Sequence, residues 1–185
     1  ASLLNLQANQ IAHPEVKAEF ALARDRIRAL ATLHRTLYAE DTLTSLNMAV
    51  FLKDLCEQTF HVAGEADAGR IQLQVESDSF WMDPDQAVPL ALIVTEVVTN
   101  SIKYAFPDGR EGVIHVRLTK NGSLVTLSVG DNGIGCSFDP ASGTPGIGLK
   151  LIHGFARQLK ASLSYSGKEG VLFTLVMHLD KSQNP

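Results

Sequence analysis

Val88 to Phe106 reads V-P-L-A-L-I-V-T-E-V-V-T-N-S-I-K-Y-A-F, an apolar stretch whose charged and amide side chains stand at Glu96, Asn100 and Lys103 alone. On a helix, spacings of four and three put these three on one stripe, hemmed in by Leu90, Ile93, Val94, Val97, Val98 and Ile102. Any fold that buries this rod must also find partners for the stripe, because an unpaired buried amide costs roughly 2 to 7 kcal/mol and a charge costs more. A cation with phosphate oxygens would serve. So would plain solvent along one helix face, or a local Glu–Asn hydrogen bond, and the remaining motifs decide between these accounts.

The rest of the composition narrows the classes. With 185 residues, 45% of them apolar, the chain can build one full core and an accessory hairpin. Sixteen basic against twenty acidic residues give a net charge of −4 without a Lys/Arg run, which disfavours nucleic acid as a partner. Cys56 and Cys136 are the only cysteines and share no C-x-x-C spacing, so neither a disulfide framework nor a zinc site is expected, and a reducing cytoplasm suits them. His61, His115, His153 and His178 share no spacing that suggests metal ligands. No apolar run approaches the roughly 18 residues of a membrane span, and the opening A-S-L-L-N-L-Q lacks the charged flank of a signal peptide. That opening looks like mid-helix sequence, as in an excised piece.

In chain order, Ser2 to Ile11 shows a helical pattern that breaks near His13-Pro14, where His13 suits a turn. Phe20, Ile27 and His34 then recur every seven residues, interleaved with Val16, Ala23, Leu30 and Leu37, the seam of a helical hairpin that a second copy would complete as a four-helix bundle. Its seam position makes His34 a packing residue rather than a phosphoryl acceptor, which would have to project into solvent. Polar residues from Asp41 to Ser45 mark a boundary, giving a hairpin over 1–42 and a second domain over 43–185. In that domain a helix is expected from about Leu46 to Phe60, a loop from His61 to Gly69, and an alternating strand at Ile71, Leu73 and Val75. Phe80 to Met82 suits a short strand, Asp83-Pro84 opens the central helix, and Val113–Leu118 and Leu124–Val129 form a hairpin around Asn121-Gly122. A loop at Ser137–Pro145, a helix opened by Gly146 and Gly148, and a hairpin of Ser162–Tyr165 with Val171–His178 complete an α+β fold, a mixed sheet with helices on one face.

Two glycine clusters join the helix stripe. Asp131 follows a strand and precedes Gly133 and Gly135, where absent side chains let backbone approach a ligand and the carboxylate could accept from an exocyclic amine. Gly146 and Gly148 stand at a helix start, where free N–H groups bind anions. Each cluster alone is weak, since D-N-G is a common turn and G-x-G often only caps a helix. Stripe and clusters in this order are a stronger signal.

E-V-V-T-N-S-I-K-Y-A-F, D-N-G-I-G and G-I-G-L-K-L-I resemble the N box and the two glycine boxes of the GHKL (Bergerat) ATP-binding sandwich. S-L-L-N-L-Q-A, the helix R-D-R-I-R-A-L-A-T-L-H-R-T-L-Y, the K-Y-A-F ending and the short lid further resemble the HWE-related sensor histidine kinases. The resemblance implies that Asn100 coordinates Mg²⁺ bridging the phosphates of ATP, with Glu96 as polarising base or metal support. It also implies that Lys103 faces phosphate beside Tyr104, that Asp131 reads the adenine amine in a pocket shaped by Gly133 and Gly135, and that Gly146, Ile147, Gly148 and Leu149 hold the phosphates. The implied function is the core of a two-component kinase that phosphorylates a histidine and then a response-regulator receiver aspartate, as a homodimer through the hairpin. The family's acceptor histidine precedes the S-L-L-N-L-Q segment, so this stretch is expected to lack it and to be unable to label itself. Three departures stand out: Val171 occupies a position where a hydroxyl residue is frequent, Phe138 lies in a lid with no recognisable phenylalanine box, and Tyr104 replaces a frequent histidine. The rival readings are a serine kinase of the anti-sigma-factor type and a degenerate core that only docks a receiver and relays phosphate.

Overall fold

The computed structural model describes residues 45–63, 69–136, 146–167 and 169–179. The chain divides into two units, Ala1–Leu43 and Thr44–Pro185. The expected hairpin with His13 and His34, and the expected lid at Ser137–Pro145 with Phe138, lie outside the described residues.

The described elements run β1 (Leu46–Asn47), α1 (Met48–Ala63), β2 (Ile71–Ser77), β3 (Trp81–Met82), α2 (Pro84–Tyr104), β4 (Gly112–Asn121), β5 (Leu124–Asp131), α3 (Ile147–Gln158), β6 (Ser162–Ser166) and β7 (Leu172–His178). The anticipated central rod is α2. Asp83 caps it by accepting the Asp85 N–H at 2.8 Å, and Pro84 takes the first position, where its missing N–H forfeits no intrahelical bond. Leu90, Ile93, Val94 and Val98 are fully buried along it. α2 packs between α1 and α3 and also touches β5, while α1 covers β2.

The main sheet has the order β2-β4-β5-β7-β6, with β2 parallel to β4 and every other pair antiparallel. Period-two burial separates its faces. Ile114, Val116, Leu118, Val125, Leu127, Val129, Phe173, Leu175 and Met177 turn toward the helices, while Gln72, Gln74, Glu76, His115, Arg117 and Thr119 are exposed opposite. The result is the expected α+β sandwich. Tyr165 ties β6 into it, with its ring 5.4 Å from Phe173 and 6.2 Å from His153 of α3, and burial pushes its phenol up to about 12.

Three local boundaries differ from those expected. Leu46 and Asn47 are strand instead of helix: they pair with Met82 and Trp81, and the Asn47 Oδ1 then accepts the Ala49 N–H at 3.1 Å, starting α1 at Met48. α1 also continues through His61 to Ala63, since no glycine or proline interrupts it after Phe60. In the β4–β5 hairpin Asn121 still pairs, with Leu124, so the turn residues are Gly122 and Ser123, Gly122 having a φ of 61°.

Leu127→Ala is expected to lower stability by about 3 kcal/mol, because Leu127 is fully buried in the sheet's helix-facing layer. Glu76→Gln should shift it by less than about 0.5 kcal/mol, since the 3.1 Å Glu76–Arg117 pair is about two-thirds exposed and solvent screens it. Urea unfolding of both variants checks the contrast. Burial raises the Cys56 thiol to about 12, with the neighbouring Glu57 charge adding to it. Iodoacetamide at neutral pH should therefore modify exposed Cys136 and spare Cys56, as read by peptide mass.

Candidate functional site

The polar stripe of α2 is buried at its middle and open at its end. Glu96 is 6% exposed within the helix. The Asn100 amide, half-buried, donates to the Glu96 Oε1 at 3.5 Å, a long bond between side chains one helical turn apart. Lys103 is exposed, and Tyr104 is 67% exposed.

Asp131, the last residue of β5, meets α2 directly. Its Oδ2 accepts the Ser101 hydroxyl at 2.8 Å, and its Oδ1 accepts the backbone N–H of Gly133 at 3.1 Å and of Val171 at 3.2 Å. An ionised carboxylate has about four acceptor directions, so the described residues fill three and leave one on Oδ2. The main chain continues the junction, Asp131 N–H donating to the Val171 carbonyl at 2.9 Å and Ile134 N–H to the Ala105 carbonyl at 2.9 Å. Asn132 braces it from outside: its Oδ1 accepts the Val113 N–H at 2.8 Å and its carbonyl accepts from Arg110 Nη2 at 3.1 Å.

The close approaches at the two glycines are made to the chain itself, where a ligand was expected. A side chain at Gly133 would run into the carbonyl and Cβ of Ala105, just past the end of α2. Gly135 has a φ of 72°, and a Cβ there would stand 2.6 Å from the Gly167 carbonyl oxygen. These glycines let β5 and the segment before β7 close against the helix end. Val171 departs in the opposite sense, since its backbone N–H, a group independent of side-chain identity, holds Asp131.

Gly146 caps α3 without a side-chain hydrogen bond and is exposed, with open space where a Cβ would go. Ile147 is exposed, and Gly148 and Leu149 are half-buried in the first turn. α3 packs on α2, but this first turn makes no hydrogen bond to Asn100 or Asp131 among the described residues. The structure thus joins Ser101, Asp131 and Gly133 at one helix–strand junction, with Glu96 and Asn100 in the preceding turns of the same helix, Gly135 against Gly167 before β7, and the glycine-opened turn on the adjoining helix.

An open hollow of about 770 Å³ lies on the sheet face opposite the described helices, lined by Gln74, His115, Ser128 and Leu172 among others, and it reaches Asp131 and Val171. It forms where Gly130, paired with His115 and Leu172, has no side chain to fill the surface. Among the described residues no group of three His, Cys, Asp or Glu side chains could hold a metal alone, and no helix is long and apolar enough to cross a membrane. Two oxygens from Glu96 and Asn100 do suit Mg²⁺, which keeps waters and takes further oxygens from a phosphate.

Two family models match the chain: one described as histidine kinase over residues 1–63, and one described as histidine kinase-like ATPase domain over 73–176. Blue-light-activated histidine kinase 2 of Erythrobacter litoralis is 26% identical over 176 residues, 90% of this chain and 49% of that protein. The sensor histidine kinase PdtaS of Mycobacterium tuberculosis is 27% identical over 138 residues, 73% of this chain and 26% of that protein. This chain therefore spans half or less of the length of these relatives. The solved histidine kinase domain of the E. litoralis EL346 blue-light-activated kinase superposes with a TM-score of 0.73 at 18% identity, covering 95% of this chain and 93% of that one, a likeness of fold.

Gly133→Ala is expected to cost more than about 2 kcal/mol, because the new methyl group overpacks against Ala105. Gly146→Ala, with φ of −54° and open space around it, should stay within about 0.5 kcal/mol. Thermal unfolding of the two variants separates the buried glycine from the exposed one.

Proposed function

Because the chain belongs to the histidine kinase-like ATPase family, we propose that it binds Mg-ATP at the α2–β5 junction and donates the γ-phosphoryl group to a histidine. The reading rests on one observation: an acidic side chain that keeps one free acceptor direction among the described residues sits one hydrogen bond from Ser101, the residue that follows Asn100. The base end and the phosphate end of a nucleotide then have their groups on a single helix–strand joint. Asp131 accepts from the exocyclic amine of adenine. Asn100 supplies a cation-binding oxygen, and Glu96, buried against it, orients that amide and either polarises the attacking imidazole or supports the cation. The cation, when bound, neutralises charge on the transferring phosphate. Lys103 and Tyr104 lie at the exposed rim, where a lysine can face phosphate. Gly133 and Gly135 shape the pocket through backbone closure, and Gly146, Ile147, Gly148 and Leu149 offer N–H groups to the phosphates.

In this reading the chain is the cytoplasmic core of a two-component sensor kinase. Its hairpin over 1–42 dimerises, its nucleotide domain covers 43–185, and a response-regulator receiver aspartate takes the phosphoryl group next. His34, by its heptad register, packs against a partner helix and is not the acceptor. Acid-labile phosphate recovered on His34 after incubation with γ-labelled ATP would overturn that assignment.

Mg-ADP at one hundred times its dissociation constant should stabilise the protein by about 2.7 kcal/mol, visible as a rise in Tm. Asp131→Asn should weaken ADP binding by about tenfold or more, since an amide nitrogen turned toward the ligand amine sets donor against donor. Asn100→Ala should remove the Mg²⁺ dependence of ATP binding. Calorimetric titration checks both, and wild-type protein whose Tm no adenine nucleotide moves would refute the proposal.

A further inference from the structure

Ser101 is a residue to which the nucleotide reading gives no role of its own beyond marking where Asp131 meets the helix, and its bonding is unusual for its place. A hydroxyl inside a helix commonly turns back to the carbonyl four residues earlier, as Thr95 does in this same helix, donating to the Ala91 carbonyl at 2.9 Å. The Ser101 hydroxyl instead leaves α2 and donates across to β5, to the Asp131 Oδ2 at 2.8 Å. It does so at 7% exposure, so the bond is shielded from bulk solvent while the hydroxyl fills the space.

The division of donors around Asp131 gives this bond its consequence. Both main-chain donors, Gly133 and Val171, go to Oδ1. Oδ2, which holds the free acceptor direction, is fixed by Ser101 alone among the described residues. A hydroxyl has one hydrogen and two lone pairs. With that hydrogen committed to Asp131, Ser101 turns only lone pairs toward its surroundings. The two side chains together therefore present acceptors and no donor.

Resting on the adenine-nucleotide reading, we infer that Ser101 is a positioning residue that sets the base selectivity of the site: it aims Asp131 and keeps the patch acceptor-only, favouring a 6-amino purine over a 6-oxo purine. Asn100 and Ser101 are consecutive on one helix, about 100° apart around its axis. The same rigid turn thus holds the cation-binding amide and the group that orients the base reader. Without the Ser101 hydroxyl, water can take its place. Water donates as readily as it accepts, so a 6-oxo group would no longer meet acceptors alone.

The test compares ADP with inosine diphosphate, which differs at the 6 position and in that ring's protonation, on the full chain with Mg²⁺. Ser101→Ala should lower the ADP-to-IDP affinity ratio by about tenfold, mainly through weaker ADP binding, and Ser101→Thr, which keeps the hydroxyl, should restore it. A role confined to stability would lower the Tm of Ser101→Ala and leave the ratio at the wild-type value. That outcome overturns the inference, as does a Ser101→Thr protein that folds and binds ADP but has lost selectivity. Wild-type protein that binds neither nucleotide strikes instead at the nucleotide reading itself, and the two failures are told apart in the wild-type titration.

Discussion

A carboxylate sharing its lone pairs among three donors from three parts of the chain fastens this domain together. Asp131 takes the Ser101 hydroxyl from α2, the Gly133 N–H from its own turn, and the Val171 N–H from the segment leading into β7. Hydrogen bonds to a charged acceptor are stronger than neutral ones, and these replace water that a half-buried carboxylate would otherwise need. The apolar layers could form without it. Its absence would leave the end of β5 without a defined seat on the helix.

The surrounding packing keeps that seat rigid. α2 is fixed along its length by Leu90, Ile93, Val94 and Val98 and flanked by α1 and α3. β5 is an interior strand, paired on both sides with β4 and β7. Two elements held this firmly can locate polar groups to a fraction of an ångström, which sites for charged ligands require. The polar face of the sheet, by contrast, has mostly exposed side chains, including the exposed Glu76–Arg117 ion pair, and adds little to that rigidity.

Much of this was legible in the sequence, for identifiable reasons. α2 announced itself through apolar period and the Asp83-Pro84 start, and the long strands through alternation. β1 with β3 was less legible, because two paired residues carry no period. Gly133 was read as room for a ligand, since sequence does not tell whether a close neighbour is foreign or the chain's own carbonyl. Ser101 passed unnoticed inside an otherwise apolar stretch: its partner is thirty positions away, and only the docking of β5 on α2 brings them together. The part of Val171 that matters at Asp131 is its amide, which every residue except proline possesses.

The shared use of Asp131 affects how variants at this position can be understood. One side chain stitches a strand, a turn and a helix while keeping a lone pair for something else, so damage there is ambiguous: loss of the ligand and loss of the joinery both give an inert protein. A substitution that preserves Oδ1 and alters only the second oxygen keeps the turn and strand bonds from Gly133 and Val171, but it disturbs the Ser101 bond and the spare lone pair together. Natural drift at the site is confined in the same way, because a change of ligand preference has to leave the clasp intact.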